Sequence, residues 1–183
     1  MADTGATSPG TMADDATVGT KAWSNPDNAK ANDDSFASTS YVGEGNPSDN
    51  EIKIVKNGSI GSENKSLGEG WGGYPPSSYS SYGANNDLWG ETWTAEDINN
   101  ANFGIVLSIK WNPTISHYLK ATNFGFSIPS GATIDGIVVE IERSTDWAGG
   151  NYFLGYVDHI RITVYYTEAA TGTNCQVNIG DAW

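Results

Sequence analysis

Three stretches of the chain alternate apolar and polar positions with a period of two. Ile105, Leu107, Ile109 and Trp111 alternate with Val106, Ser108 and Lys110. Ile137, Val139 and Ile141 alternate with Val138, Glu140 and Glu142. Ile160, Ile162, Val164 and Tyr166 alternate with Arg161, Thr163 and Tyr165. Successive side chains of a strand point to opposite faces, so each stretch predicts a strand with one buried and one wetted face. Weaker strands are expected over 51–56 and 118–128. Turn residues fall between these runs: Asn57-Gly58, Pro129-Ser130-Gly131 and Trp147-Ala148-Gly149-Gly150. Seven or so short strands with this punctuation predict an all-β fold, an antiparallel two-sheet β-sandwich of jelly-roll type. One short helix is predicted where Thr94 and Asp97 bracket a capping box ahead of Ile98, ending by Asn100 or Asn102.

Composition supports this reading. Glycine (22 residues), serine, asparagine and threonine are abundant, as turns and strand edges require, and 7 Trp, 9 Tyr and 5 Phe supply a core. A chain of 183 residues makes one domain with tails. The expected division is an N-terminal arm (1–20), a β-sandwich domain (21–167) and a C-terminal tail (168–183). In the arm only Val18 offers a core anchor, so a neighbouring subunit is expected to hold it. In the tail Val177, Ile179 and Trp183 form a short alternating segment suited to extending a neighbour's sheet edge. Val18, Val177, Ile179 and Trp183 are therefore candidate intersubunit contacts.

Charge narrows the partners. Twenty-two acids against nine bases give a formal net charge of −13, and Arg143 and Arg161 are the two arginines. No basic stripe exists to neutralise phosphates, which argues against nucleic acid, and an anionic membrane surface would repel the chain. No window approaches eighteen consecutive apolar residues, and residues 1–10 lack the basic and apolar regions of an export signal. Synthesis in the host cytoplasm is the expectation. Cys175 is the single cysteine, so no internal disulfide is expected.

Little points to reaction chemistry. His117 and His159 are the two near-neutral bases, and both read as structural. No G-x-S-x-G elbow, H-E-x-x-H, Cys/His cluster or phosphate-binding loop occurs. Asp87, Glu91, Asp97, Asp146 and Asp158 are available for a paired-carboxylate site, but no spacing selects two of them. The runs Asp27-Asn28, Asn32-Asp33-Asp34 and Asp49-Asn50-Glu51 carry oxygen ligands of the type Ca²⁺ prefers, yet none matches an EF-hand loop and they read as solvated turns. Asn57-Gly58-Ser59 and Asn64-Lys65-Ser66 fit the glycosylation pattern without an export signal to make it meaningful. No catalytic residue, cofactor or metal ligand is assigned.

One segment is unusual. Residues 68–93 contain six glycines, no base, and six large aromatics: Trp71, Tyr74, Tyr79, Tyr82, Trp89 and Trp93. A loop this long is functional or disordered, and so many aromatics argue against disorder. It must pack on its own domain, pack on another subunit, or bind something. Sugars stack on aromatic rings while acids bind their hydroxyls, so these six aromatics and Asp87 are candidate glycan or partner contacts.

Three stretches resemble segments of tailed-phage virion proteins. The first runs Ala121-Thr122-Asn123-Phe124-Gly125-Phe126-Ser127-Ile128-Pro129-Ser130-Gly131-Ala132-Thr133-Ile134-Asp135-Gly136-Ile137. The second is Asn86-Asp87-Leu88-Trp89-Gly90-Glu91-Thr92-Trp93-Thr94 leading to Asn102-Phe103-Gly104. The third is Val157-Asp158-His159-Ile160-Arg161-Ile162-Thr163-Val164-Tyr165-Tyr166-Thr167. With Ala22-Trp23-Ser24-Asn25-Pro26 they cover most of residues 21–167. Here the first stretch follows the second, the reverse of the order in those proteins, a rearrangement of connections that a jelly roll tolerates. In the first stretch Pro129-Ser130-Gly131-Ala132 reads as a turn and Asp135-Gly136 as a kink or bulge. The resemblance implies a non-enzymatic virion structural protein on the capsid exterior (decoration) or tail. Its partners would be copies of itself, other virion proteins and host surface glycans. A carbohydrate-binding module or adhesin using residues 68–93, or a subunit of an extracellular filament, is the alternative.

Overall fold

The computed structural model of the chain describes residues 1–43, 45–76 and 78–170. Cys175, Val177, Ile179 and Trp183, and with them the expected tail strand, lie outside the described residues. The fold is mostly β, in two antiparallel sheets. One sheet has five strands: β1 (Ala2–Asp3), β3 (Ala37–Val42), β6 (Tyr79–Ala84), β10 (Thr133–Trp147) and β11 (Tyr152–Thr167). The other has six: β2 (Thr11–Asp15), β4 (Ser48–Lys56), β5 (Ser59–Ile60), β7 (Gly104–Trp111), β8 (Thr114–Ile115) and β9 (Tyr118–Thr122). A single core joins them, with Ile52, Ile54, Ile105, Leu107 and Ile109 from one sheet facing Ile137, Val139, Ile141, Ile160, Ile162 and Val164 from the other.

The strongest sequence patterns became the longest strands. β10 and β11 form a hairpin of 15 and 16 residues whose apolar register positions meet the core. Its two register shifts have local causes. The first, between Ile134 and Gly136, is the kink expected at Asp135-Gly136. A Cβ on Gly136 would lie 2.2 Å from the backbone carbon of Asn85, so the chain there passes too close for any side chain. The second falls opposite Glu142 and Arg143 and leaves Asp158 as the extra residue. Because Val157 and Ile160 both face the core, Asp158 and His159 are left together on the outer side.

Turns and caps also formed as their residues require. Asn57 and Gly58 both have positive φ (51° and 86°) and close the two-residue hairpin between β4 and β5. Thr94 caps α1 (Ala95–Asn99) with a complete capping box, and the amide of Ala132 donates to the carbonyl of Pro129 in the predicted turn.

Three expectations need correction. The strand predicted over 118–128 stops at Thr122, because Asn123 and Gly125 take left-handed backbone angles (φ 58° and 70°). That irregular path turns Phe124, Phe126 and Ile128 all into the core, where they join Phe103. The strand β7 does not have a wetted face over most of its length. Val106 is covered by Val55 and Tyr118, with Val18 and Ile60 packed against them. The third correction concerns residues 1–20, which read as a flexible arm but pair within the chain's own two sheets. Ala2 and Asp3 pair with Tyr166 and Tyr165, Thr7 bridges Ile162, and Thr11–Asp15 pair with Tyr118–Thr122. This segment crosses from one sheet to the other and closes an edge of each. Backbone pairing needs no apolar side chain, which is why the composition did not announce it; Met12 enters the core between the sheets and Val18 packs on the outer cluster.

Candidate functional site

The aromatics of residues 68–93 divide sharply. Trp71, Tyr82 and Trp89 are buried. Each brings a polar atom inward and each finds a partner. The indole of Trp89 donates to the carbonyl of Ile137 (2.9 Å). Trp71 Nε1 and Tyr82 Oη donate to the two carboxylate oxygens of Asp49 (2.7 and 2.8 Å). Asp49 lies on β4 and is itself fully buried; Arg143, on β10 in the opposite sheet, completes the cluster. Its guanidinium stands 3.4 Å from Asp49, donates to Tyr82 Oη (3.0 Å), and covers the Trp71 ring at 5.1 Å. Burial, followed by the charge of the Asp49 carboxylate beside it, pushes the Tyr82 phenol well above its ordinary range. This is a clamp between the sheets, held by one buried charge pair whose two carboxylate oxygens both accept hydrogen bonds.

The others also serve the domain. Trp93 donates to the carbonyl of Leu88 and meets Phe103 edge-on (5.4 Å). Asp87 accepts from the amide of Trp89 (2.9 Å) and pairs with Lys65 (2.8 Å). Burial opposes ionisation there, but those two donors prevail and hold its carboxyl below the usual range. Stacking surfaces on Trp71, Tyr82 and Trp89 are thus consumed by the core. The glycan platform expected from the sequence is not assembled by Trp71, Tyr82 and Trp89; Tyr74, half exposed, and the partly buried Tyr79 are the members on outward faces.

Exposed apolar side chains gather elsewhere, at the turn end of the β10–β11 hairpin. Trp147 (63% exposed) leads into the turn and Tyr152 (40%) leads out of it. Tyr152 is paired with Val42 (61%) at the end of β3. Tyr74 lies beside this group, touching Tyr156 and Phe36 with ring centroids 5.6 and 5.5 Å apart. The backbone of Gly72 and Gly73 ties that loop to Thr145. None of these residues except Tyr74 was singled out from the sequence. Trp147 read as part of a turn; it is instead the last residue of β10, paired with Phe153, on the opposite face of the hairpin from Tyr152 and Val42.

A second grouping occupies the outer face of the five-stranded sheet. The bulge at Asp158 sets His159 opposite Glu142, and Glu142 pairs in turn with Tyr79 on β6. Tyr79 Oη lies 2.8 Å from His159 Nδ1, and Ser8 Oγ lies 2.8 Å from His159 Nε2. Asn32 donates to both Glu142 (2.7 Å) and Tyr79 Oη (3.0 Å). Arg161 stacks on the Tyr79 ring (3.9 Å) while gripping Glu140 through two hydrogen bonds (2.8 and 3.0 Å). Burial, followed by the Arg161 charge, lowers the pKa of His159 and favours its neutral form. Asp158 is almost completely buried, and its Oδ1 has no hydrogen-bond partner. Burial, then the charges of Glu142, Asp34 and Asp33, push its carboxyl up to about 6.

His117 plays a structural part. It bonds Asp14 (2.9 Å), which also accepts from the amide of Trp23, while the Trp23 indole donates to the His117 carbonyl (2.9 Å). Among the described residues no three His, Cys, Asp or Glu side chains converge as a metal site. A cleft of about 320 Å³ between β1, the 125–128 segment and the end of β11 is lined by Thr4, Thr7, Phe126, Ile128 and Tyr166, with Asp3 its one carboxylate. No helix among the described residues is long and apolar enough to cross a membrane. No family model, curated protein or solved structure matches the chain.

Proposed function

We propose that the chain is a structural, non-enzymatic protein of a tailed-phage virion, a jelly-roll-type sandwich that docks on the capsid exterior or tail. The partners on this reading are further copies of the chain and neighbouring virion proteins. The observation that carries it is the exposed apolar end formed by Val42, Tyr74, Trp147 and Tyr152. A folded domain with this many aromatics already buried has no packing reason to leave a Trp and two Tyr in water at one end. Aromatic residues on a rigid hairpin are well suited to anchor an interface. Two further points support the reading. The chain passes between the sheets repeatedly, from β1 to β2 to β3 to β4, which suits a jelly-roll connection pattern. A net charge of −13 keeps the outward surface soluble while an uncharged anchor docks.

The test is electron microscopy and mass spectrometry of particles purified from the host that makes the chain. The chain should be present in stoichiometric amount, with the turn end of the hairpin against the particle. Absence of the chain from purified particles overturns the proposal.

A further inference from the structure

From the hydrogen-bond relay on the outer face of the five-stranded sheet we infer that Ser8 is an activated hydroxyl that accepts an acyl group from a neutral or cationic ester. This site is remote from the exposed apolar end, goes beyond the structural reading and does not depend on it.

The geometry has three parts. A nucleophile and a base lie within hydrogen-bond reach, since Ser8 Oγ is 2.8 Å from His159 Nε2. A third group orients the base, since Tyr79 Oη is 2.8 Å from His159 Nδ1. The nucleophile is open to reagents, because Ser8 is exposed while His159 is buried beneath it. Ser8 is also held in place. Thr7 exchanges two backbone hydrogen bonds with Ile162 (both 2.9 Å), Pro9 is buried, and the amide of Gly10 donates to Asn123 (2.8 Å).

Tyr79 Oη accepts from Asn32 and has a second lone pair available to His159 Nδ1, 2.8 Å away. The activated form carries the ring hydrogen on Nδ1, donated to that lone pair. Nε2 is then the unprotonated nitrogen, facing the Ser8 hydroxyl proton. The neutral state of the ring is favoured by burial and by Arg161, although Glu140 works against them.

The step balances without a co-reactant. Ser8 Oγ forms a bond to the acyl carbon as its proton passes to His159 Nε2. The bond from that carbon to the leaving oxygen breaks, and His159 returns the proton to the departing alcohol or phenol. The product is an acylated Ser8. Glu140, Glu142, Asp158, Asp33 and Asp34 surround the relay, with Arg161 already committed to Glu140, so anionic donors are repelled. His159 acts here as the base and Tyr79 as a positioning residue.

The experiment uses the full chain and p-nitrophenyl acetate, with release of nitrophenolate followed in time and the acetyl group located by peptide mass spectrometry. Expected is one acetyl group on Ser8, absent in Ser8→Ala. His159→Gln should slow it roughly 10²-fold, the scale of general-base assistance. The rate at Ser8 should rise through a single ionisation lying below the usual histidine range. Tyr79→Phe should lower the rate and shift that profile, which a merely structural role would not do. Unchanged thermal unfolding of each variant confirms that the relay, not the fold, was altered. Failure of Ser8 to acetylate, or acetylation at the same rate in His159→Gln, overturns the inference.

Discussion

Removing Asp49 should unfasten the two sheets. Its carboxylate lies at no exposure, between Trp71 Nε1 at 2.7 Å and Tyr82 Oη at 2.8 Å, with Arg143 at 3.4 Å. Asp49→Ala strips three donors of their acceptor and leaves the Arg143 guanidinium, 6% exposed, without a counter-charge. Breaking one side of a buried pair destabilises by about 3–5 kcal/mol. A domain of this size has about 5–15 kcal/mol in total, so the loss is a large share of its stability. The stacking of Arg143 on Trp71 at 5.1 Å offsets only a small part, about 1–2 kcal/mol. Urea unfolding followed by tryptophan fluorescence would read the midpoint, with the slope checking that the transition stays two-state. The matching drop in melting temperature is roughly 10 °C. In Asp49→Leu with Arg143→Met no charge is left stranded, and the double variant should recover the share of the loss due to the unpaired guanidinium, while Trp71 Nε1 and Tyr82 Oη stay without their acceptor. Two outcomes refute the clamp: Asp49→Ala destabilising by less than ~1 kcal/mol, or the double variant losing the sum of the singles.

Other perturbations give equally definite outcomes. Asp158 titrates near 6 when folded against 3.8 when unfolded, so the native state binds its proton more tightly. The resulting stabilisation is complete below about pH 4 and disappears as pH rises through 6, at most ~3 kcal/mol in all. Asp158→Asn should therefore be more stable than the parent at pH 8 and lose that advantage at pH 4, as measured by urea midpoints at the two values. A parallel pH dependence in parent and variant would contradict this. Gly136→Ala places a Cβ 2.2 Å from the Asn85 backbone and should destabilise by about 2 kcal/mol or more in thermal unfolding; a neutral result would mean the bulge can shift freely. Trp147→Ser and Tyr152→Ser, both at exposed positions, should change stability by no more than about 0.5 kcal/mol.

Much of the fold could be read from the chain because local and global preferences agree. Alternation over 137–142 and 160–166 marked the long hairpin, Thr94 and Asp97 marked the helix cap, Asn57-Gly58 marked a tight turn, and Asp135-Gly136 marked a bulge. What escaped was decided by long-range pairing. Residues 2–3 and 11–15 become strands, and Thr7 a bridge, through backbone pairing with Tyr165, Tyr166, Ile162 and Tyr118–Thr122, which no side-chain pattern encodes. Residues 124–128 carry strand-like alternation but left-handed angles at Asn123 and Gly125 break the ladder. The aromatics of 68–93 were visible as a group, yet composition does not separate a stacking platform from a core. The answer lay with Asp49 and the Ile137 carbonyl, which accept the polar atoms that Trp71, Tyr82 and Trp89 carry inward. His159 read as structural because its partner Ser8 stands 151 positions away and Tyr79 stands 80 away. Chain separation of that size leaves no local signature.

Light scattering on the purified protein across a range of concentrations tests the docking claim most directly. The parent should exceed the monomer mass as concentration rises, and Trp147→Ser combined with Tyr152→Ser should return it to the monomer while remaining folded. A parent that holds the monomer mass at every concentration, or a double variant that associates as the parent does, would contradict the assignment of that end as the interface.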